Sequence, residues 1–156
     1  MLHRKGHLDL DTLRADGAYK ANAAYNRSKL ANLVFALELH RRLTAAGSPV
    51  RSIAAHPGYA VTNLQASVPP GFYRFLLTKL GNPLIAVPAA TGALPLLYAA
   101  TAPDAQGGAL IGPGGLGEMR GAPASLKPSP EAADPASGER LWSVSEELTG
   151  VRFTAS

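Results

Sequence analysis

The sequence has no cysteine in 156 residues, and this absence excludes several kinds of site at once. Disulfide frameworks, thiolate zinc centres and cysteine nucleophiles all need a sulfur atom that the chain does not supply. The charged residues at the N-terminus are followed by no apolar run, so we expect neither a signal peptide nor a membrane anchor there. We therefore predict a cytoplasmic protein, because a chain without disulfides suits a reducing compartment.

Clusters of positive charge are missing as well. The formal net charge is +4, from 15 Lys and Arg against 11 Asp and Glu. The basic residues are scattered and not interleaved with aromatic residues, whereas nucleic-acid binding needs a basic stripe, so we expect no nucleic-acid partner. His3 and His7 have a ligand-like spacing, but no carboxylate motif accompanies them, and we predict no metal site.

One long segment, 81–103, has no charged side chain. Its length alone would suit a membrane span. Its prolines and its many Ala, Thr and Gly residues make it a poor one, so we predict instead a soluble, largely buried helix at about 88–100. A further short helix is predicted at about 72–80.

The first half of the chain is typical of an α/β fold. Apolar residues recur at three- and four-residue spacing between about 22 and 46, which predicts a long amphipathic helix that stops near Gly47. A strand is predicted at about 50–56, and it ends where Pro57 and Gly58 must change the backbone direction. A helix, a short turn and a strand form half of a parallel crossover unit.

The second half is predicted to contain little regular structure before a closing helix. A short strand at about 109–111 is followed by a Gly- and Pro-rich loop at 112–138. The closing helix, at about 135–149, has Asp134 as its N-cap and Gly150 as its stop. The length of the chain suits one domain, which we place at 1–156.

Two residues of the long helix have a spacing that chemistry can use. Tyr25 and Lys29 are four positions apart, so their side chains project from the same helix face. A nearby ammonium favours the ionised form of a phenol, and a phenol so assisted can act as a general acid or base toward a hydroxyl or carbonyl. The spacing alone is weak evidence, because such a pair also arises by chance.

The neighbours of this pair carry a resemblance to a known family. The matching segments are Ala24-Tyr25-Asn26-Arg27-Ser28-Lys29-Leu30-Ala31-Asn32, His56-Pro57-Gly58, Thr62-Asn63-Leu64, Gly92-Ala93-Leu94 and Leu97-Tyr98-Ala99-Ala100. Together they resemble the short-chain dehydrogenase/reductase family, most closely its retinol-dehydrogenase-like and protochlorophyllide-reductase-like subgroup. The resemblance implies the C-terminal portion of a Rossmann-like, doubly wound parallel sheet, in an oxidoreductase that transfers hydride between alcohols and carbonyls.

The resemblance also implies a role for each matching residue. The family's tyrosine exchanges a proton with the substrate, and its lysine assists the tyrosine and holds the nicotinamide ribose; these correspond to Tyr25 and Lys29. The family's Pro-Gly turn and the threonine after it contact the cofactor, which implies Pro57, Gly58 and Thr62. A plain turn and a helix N-cap are the structural alternatives for these three. The implied cofactor is NAD or NADP, and the implied substrate is a small alcohol or carbonyl compound.

Several of the family's segments have no counterpart in the chain. These are the glycine-rich phosphate turn, the Asn-Asn-Ala-Gly segment and the serine that polarises the substrate carbonyl. The segment 112–117 matches G-x-G-x-x-G, but Gly121 and Pro123 follow where a helix should open. We therefore expect the isolated chain to lack the nucleotide-binding half and to be inactive. The alternative function is a non-catalytic module that self-associates through the long helix or an exposed sheet edge.

Overall fold

A computed structural model describes residue 4 and residues 6–10, 20–60 and 86–154. These residues form a mixed α/β structure. The predicted helix at 72–80 and Thr62 lie outside the described residues. The elements follow one another as α1 (Ala21–Ala45), β1 (Ala54–Ala55), α2 (Ala89–Thr101), β2 (Leu110–Pro113), a 3-10 turn (Leu116–Glu118), β3 (Pro123–Leu126), α3 (Pro130–Ala133) and α4 (Pro135–Thr149).

The chain divides into two compact units. The first is built from Met1–Ala54, Gln106–Leu110 and Lys127–Ser156, and the second from Ala55–Ala105 and Ile111–Leu126. Within the described residues, no helix combines the length and the apolar character that crossing a lipid bilayer requires.

Helix α1 spans 25 residues, Ala21–Ala45, and its bounds lie within one residue of the helix at about 22–46 that the apolar periodicity predicts. Its apolar stripe faces the core of the first unit and is buried there. The stripe consists of Leu30, Leu33, Val34, Leu37 and Leu43. The helix gives way to a turn in which Gly47 has φ +68°, a left-handed conformation that glycine adopts without strain.

Helices α3 and α4 pack against α1 in the first unit. Local signals define both of their starts. The Ser129 hydroxyl accepts the backbone N–H of Ala132, and the Asp134 carboxylate accepts those of Ala136 and Ser137. Helix α4 runs from Pro135 to Thr149, the bounds that the sequence predicts, and the next residue, Gly150, has φ +69°.

A buried carboxylate lies where α1 meets α4. Glu38 is 4% exposed, and its two oxygens accept hydrogen bonds from Arg41 Nε at 2.9 Å and from Arg42 Nε at 2.7 Å. A Cβ atom at Gly138 of α4 would lie 2.7 Å from one of these oxygens. The absence of a side chain at Gly138 therefore lets α4 approach the ion pair closely.

The single tryptophan of the chain lies beside this ion pair. Trp142 is 4% exposed and stacks on Phe35 of α1, with ring centroids 5.2 Å apart. Phe153 packs edge-on against the same indole, and the Arg42 guanidinium lies 4.4 Å from the indole ring centroid. The indole N–H donates to Glu146 at 2.8 Å, so the polar atom of this side chain is satisfied.

The three strands form one sheet in the order β1-β2-β3. Hydrogen bonds from Ala54 N to Ala109 O and from His56 N to Ile111 O advance along both strands in the same direction, so β1 and β2 are parallel. The predicted strand at 50–56 proves shorter, because only two of its residues belong to the ladder. Val50, at its start, is 59% exposed and lies outside the ladder.

The predicted Gly- and Pro-rich loop at 112–138 is the main error of the sequence interpretation. It contains β3, the 3-10 turn and α3. Strand β3 pairs with β2, and the connection between them is closed by hydrogen bonds from Gly114 N to Ala122 O and from Gly115 N to Arg120 O. Its proline, Pro123, is the first residue of the strand, a position that tolerates the missing N–H.

Helix α2 is also less buried than we predicted. The close contacts are made by its small residues: a Cβ atom at Gly92 would lie 2.7 Å from the Ala60 side chain and 3.4 Å from that of Pro57. Its three leucines turn outward and are 45–55% exposed: Leu94, Leu96 and Leu97. The lack of charge in this segment therefore does not reflect burial of the whole helix.

Candidate active site

Tyr25 and Lys29 lie in the first turns of α1 and share one face, as their spacing predicts. The Lys29 ammonium is 5.1 Å from the centroid of the Tyr25 ring. Tyr25 is 41% exposed, and Lys29 is exposed as well. The pair therefore presents a phenol and a cation together at the surface of the first unit.

Neither side chain is engaged by another described residue in a hydrogen bond or an ion pair. The nearest polar neighbour on the helix, Ser28, donates its hydroxyl hydrogen bond to the backbone carbonyl of Tyr25 at 2.8 Å. In this back-bond the Ser28 hydroxyl donates its hydrogen within the helix. Within the described part of the chain, no hydrogen bond or ion pair thus competes with a ligand oxygen for the Tyr25 phenol or the Lys29 ammonium.

The Pro57-Gly58 turn lies in the second unit. Gly58 has φ +72°, which a residue with a side chain adopts only under strain. A Cβ atom at Gly58 would also collide with the carbonyl oxygen of Met119 and lie 2.7 Å from the Pro113 ring. Two constraints therefore require glycine here, while Pro57 itself is exposed.

The sequence interpretation gave His56 no role of its own, beyond its place in the matching His56-Pro57-Gly58 segment. The side chain is 20% exposed, and its Nε2 lies 3.9 Å from an Oε2 of Glu118. Burial lowers the pKa of His56 below 6.5, and the nearby Glu118 carboxylate partly opposes this shift. No local signal marks the pair, because its two members are far apart in the sequence.

Two further features of the sequence concern phosphate and metal binding. The G-x-G-x-x-G match at 112–117 lies in β2 and the 3-10 turn, and no helix opens after it, so it lacks the geometry of a pyrophosphate site. Among the described residues, no group of three or more His, Asp and Glu side chains is arranged to hold a metal ion.

Comparison with known proteins identifies the family. A short chain dehydrogenase/reductase from Macrophomina phaseolina is 34% identical over 150 residues, covering 88% of this chain and 67% of that protein. The chain belongs to the short-chain dehydrogenase/reductase family. Retinol dehydrogenase 14 from Mus musculus, 30% identical over 96% of this chain and 42% of its own length, supports the predicted subgroup. The resemblance found in the sequence is thereby confirmed.

A solved structure agrees with this assignment. The crystal structure of an uncharacterized protein from Mycobacterium paratuberculosis superposes with a TM-score of 0.75 at 38% identity, covering 98% of this chain and 48% of the other. The chain spans 35–42% of the length of the first curated short-chain dehydrogenase/reductase relatives that it matches. No protein-family model matches it. The family is one of oxidoreductases, whose members generally use NAD or NADP.

Proposed function

We propose that this chain carries the proton-transfer residues of a nicotinamide-dependent oxidoreductase that interconverts an alcohol and its carbonyl compound. The observation that supports this most directly is the pairing of Tyr25 with Lys29 on an exposed helix face, with 5.1 Å between the ammonium and the ring centroid. In a member of this family, a phenol and a cation that have no other partner among the described residues are suited to a substrate oxygen and a ribose hydroxyl.

The residues present suit a nicotinamide cofactor. Lys29 offers an exposed ammonium that can donate to the ribose hydroxyls. The Pro57-Gly58 turn offers the exposed Pro57, against which a flat ring can lie, while Met119 and Pro113 fill the space on the other side of Gly58. We include Thr62 among the cofactor residues because of its match to the family's motif. The nicotinamide, when bound, accepts or supplies the hydride.

Tyr25 exchanges the proton. In alcohol oxidation, the substrate O–H bond breaks and a new O–H bond forms on the ionised Tyr25 oxygen, while the electron pair of the C–H bond leaves as hydride. In carbonyl reduction, Tyr25 returns its proton to the substrate oxygen as that oxygen gains charge. Lys29 stabilises the ionised phenol by its positive charge and does not transfer the proton itself.

The experiment joins this chain, in one polypeptide, to the part of the Mycobacterium paratuberculosis relative that it does not match. Oxidation and reduction are followed by the absorbance of the reduced nicotinamide, with NAD and NADP and a panel of alcohols and carbonyls. We expect Tyr25→Phe to lower kcat by about 10²- to 10⁴-fold while cofactor binding persists. Lys29→Met should raise the KM for the cofactor as well as lower kcat.

Tyr98→Phe is the matched control, because the Tyr98 hydroxyl donates to Asp104 at 2.9 Å and has no part in the proposed proton transfer. It should leave kcat unchanged. The proposal fails if Tyr25→Phe turns over like the control. It also fails if the unaltered protein binds the cofactor but oxidises and reduces nothing in the panel.

A further inference from the structure

The back of the Pro57-Gly58 turn is held by the segment Gly112–Gly121 of the same unit. The backbone N–H of Tyr59 donates to the Met119 carbonyl at 2.9 Å. The same carbonyl closes against the α-carbon of Gly58, where there is no room for a Cβ atom. The turn is thus pinned from one side by Met119, and Pro57 faces outward.

The side chain of His56 also forms a hydrogen bond to the turn. Its Nδ1 accepts the backbone N–H of Gly58 at 3.1 Å, so two successive amides of the turn, those of Gly58 and Tyr59, are both engaged. The imidazole packs so closely on Gly112 that a Cβ atom there would collide with the ring. The ring therefore has little freedom to rotate away from the Gly58 amide.

The hydrogen bond fixes the proton position on the ring. Because Nδ1 accepts, the neutral imidazole carries its proton on Nε2. That N–H has no acceptor within hydrogen-bond distance among the described residues, but the Glu118 carboxylate lies 3.9 Å away. A negative charge at this distance stabilises the tautomer that has a partly positive N–H at Nε2 over the tautomer that has a lone pair there. Glu118 itself is held in the left-handed region, with φ +58°.

We infer that His56 is a positioning residue, which fixes the Pro57-Gly58 turn through Nδ1 and which Glu118 keeps in the tautomer that can accept. The inference rests on the proposed function, since that function places this turn against the nicotinamide. The ligand whose orientation His56 controls is therefore the nicotinamide end of the cofactor. His56 acts through the backbone and does not touch the reacting atoms.

Two substitutions separate this role from simple filling of space. In His56→Asn, the side-chain oxygen can take the place of Nδ1 and accept the Gly58 N–H, although the side chain no longer reaches Glu118. In His56→Phe, a flat ring of somewhat larger volume fills the site but the acceptor is lost. If His56 only fills space, His56→Phe should behave more like the wild type than His56→Asn does. If His56 positions the turn through its hydrogen bond, His56→Asn should behave more like the wild type.

The first measurement uses the 156-residue chain. Nitrogen-15 NMR of the wild-type imidazole should show the neutral Nε2–H tautomer. Hydrogen exchange of the Gly58 amide should be slow in the wild type and in His56→Asn, and about tenfold or more faster in His56→Phe. The tautomer measurement needs no variant, so it decides the proton position even if His56→Phe does not fold. An Nδ1–H tautomer, or equal exchange in all three proteins, overturns the inference.

The second measurement uses the joined polypeptide described above. His56→Phe should raise the KM for the cofactor about tenfold with a smaller change in kcat, and His56→Asn should restore most of the loss. His7→Asn is the control, because the His7 side chain is 84% exposed and lies in the first unit. Faster Gly58 exchange without a higher KM overturns the link to the cofactor.

The failure of the proposed function gives a different result. In that case the unaltered joined polypeptide turns nothing over, and the exchange and tautomer measurements alone decide whether His56 fixes the turn.

Discussion

Replacing Glu38 with glutamine tests the ion pairs that Glu38 makes within α1, at the point where Gly138 of α4 packs against them. The carboxylate is 4% exposed and accepts from Arg41 and Arg42 with separate oxygens. Glutamine keeps the shape of the side chain, but one of its two polar atoms becomes an NH₂ group. That group faces an arginine N–H, so one favourable contact becomes a contact between two donors.

The expected loss of stability follows from this geometry. Breaking a fully buried ion pair costs about 3–5 kcal/mol. The side chains of Arg41 and Arg42 are 34% and 36% exposed, so water can hydrate the arginine that loses its acceptor. We therefore expect Glu38→Gln to lower the free energy of unfolding by about 2 kcal/mol. For a chain of this length, that corresponds to a fall in Tm of about 4–8 °C.

The assay is urea and thermal unfolding followed by far-ultraviolet circular dichroism. Glu139→Gln is the control, since Glu139 is exposed on α4 and its substitution should change stability by less than about 0.5 kcal/mol. The reasoning is refuted if Glu38→Gln unfolds at the same urea concentration as this control. It is also refuted if the variant is more stable than the wild type.

Two further predictions concern pH and packing. Burial lowers the pKa of folded His56 below 6.5, so the unfolded chain takes up a proton before the folded chain does as the pH falls through about 6.5. The free energy of unfolding should therefore decrease as the pH falls from 6.5 to the folded pKa of His56, and this decrease should be absent above pH 6.5. Urea unfolding across this range should show a smaller decrease for His56→Asn, which does not titrate, and an identical pH dependence contradicts the assignment. In the same assay at neutral pH, Leu30→Ala, at a fully buried position, should lower the free energy of unfolding by about 2–5 kcal/mol. Leu97→Ala, at a position that is 55% exposed, should lower it by less than about 0.5 kcal/mol. Equal losses in the two variants would contradict the difference in burial.

The sequence predicts those elements whose signals are local. Asp134 and Gly150 mark the two ends of α4 because capping depends only on residues within one helical turn. The stripe on α1 likewise depends on spacing along a single helix. Helical geometry predicts that Tyr25 and Lys29 share one face, whereas their proposed role comes from the resemblance of the segments around them.

The features that the sequence does not predict depend on partners far along the chain. Strand β3 exists because its backbone pairs with β2, and this pairing outweighs the abundance of Gly and Pro around it. The contact of His56 with Glu118 was missed because only folding brings these two residues together. The outward leucines of α2 were missed because composition gives no information about which face of a uniformly apolar helix is covered.

The position of Trp142 has a spectroscopic consequence. It is the only tryptophan in the sequence, and its indole lies among α1, α4 and Phe153, all of which belong to the first unit. Tryptophan emission therefore reports the folding of that unit alone, whereas Tyr59 and Tyr98 lie in the second. A denaturation curve recorded at the tryptophan wavelength and one recorded by circular dichroism will coincide only if the two units unfold as a single cooperative species.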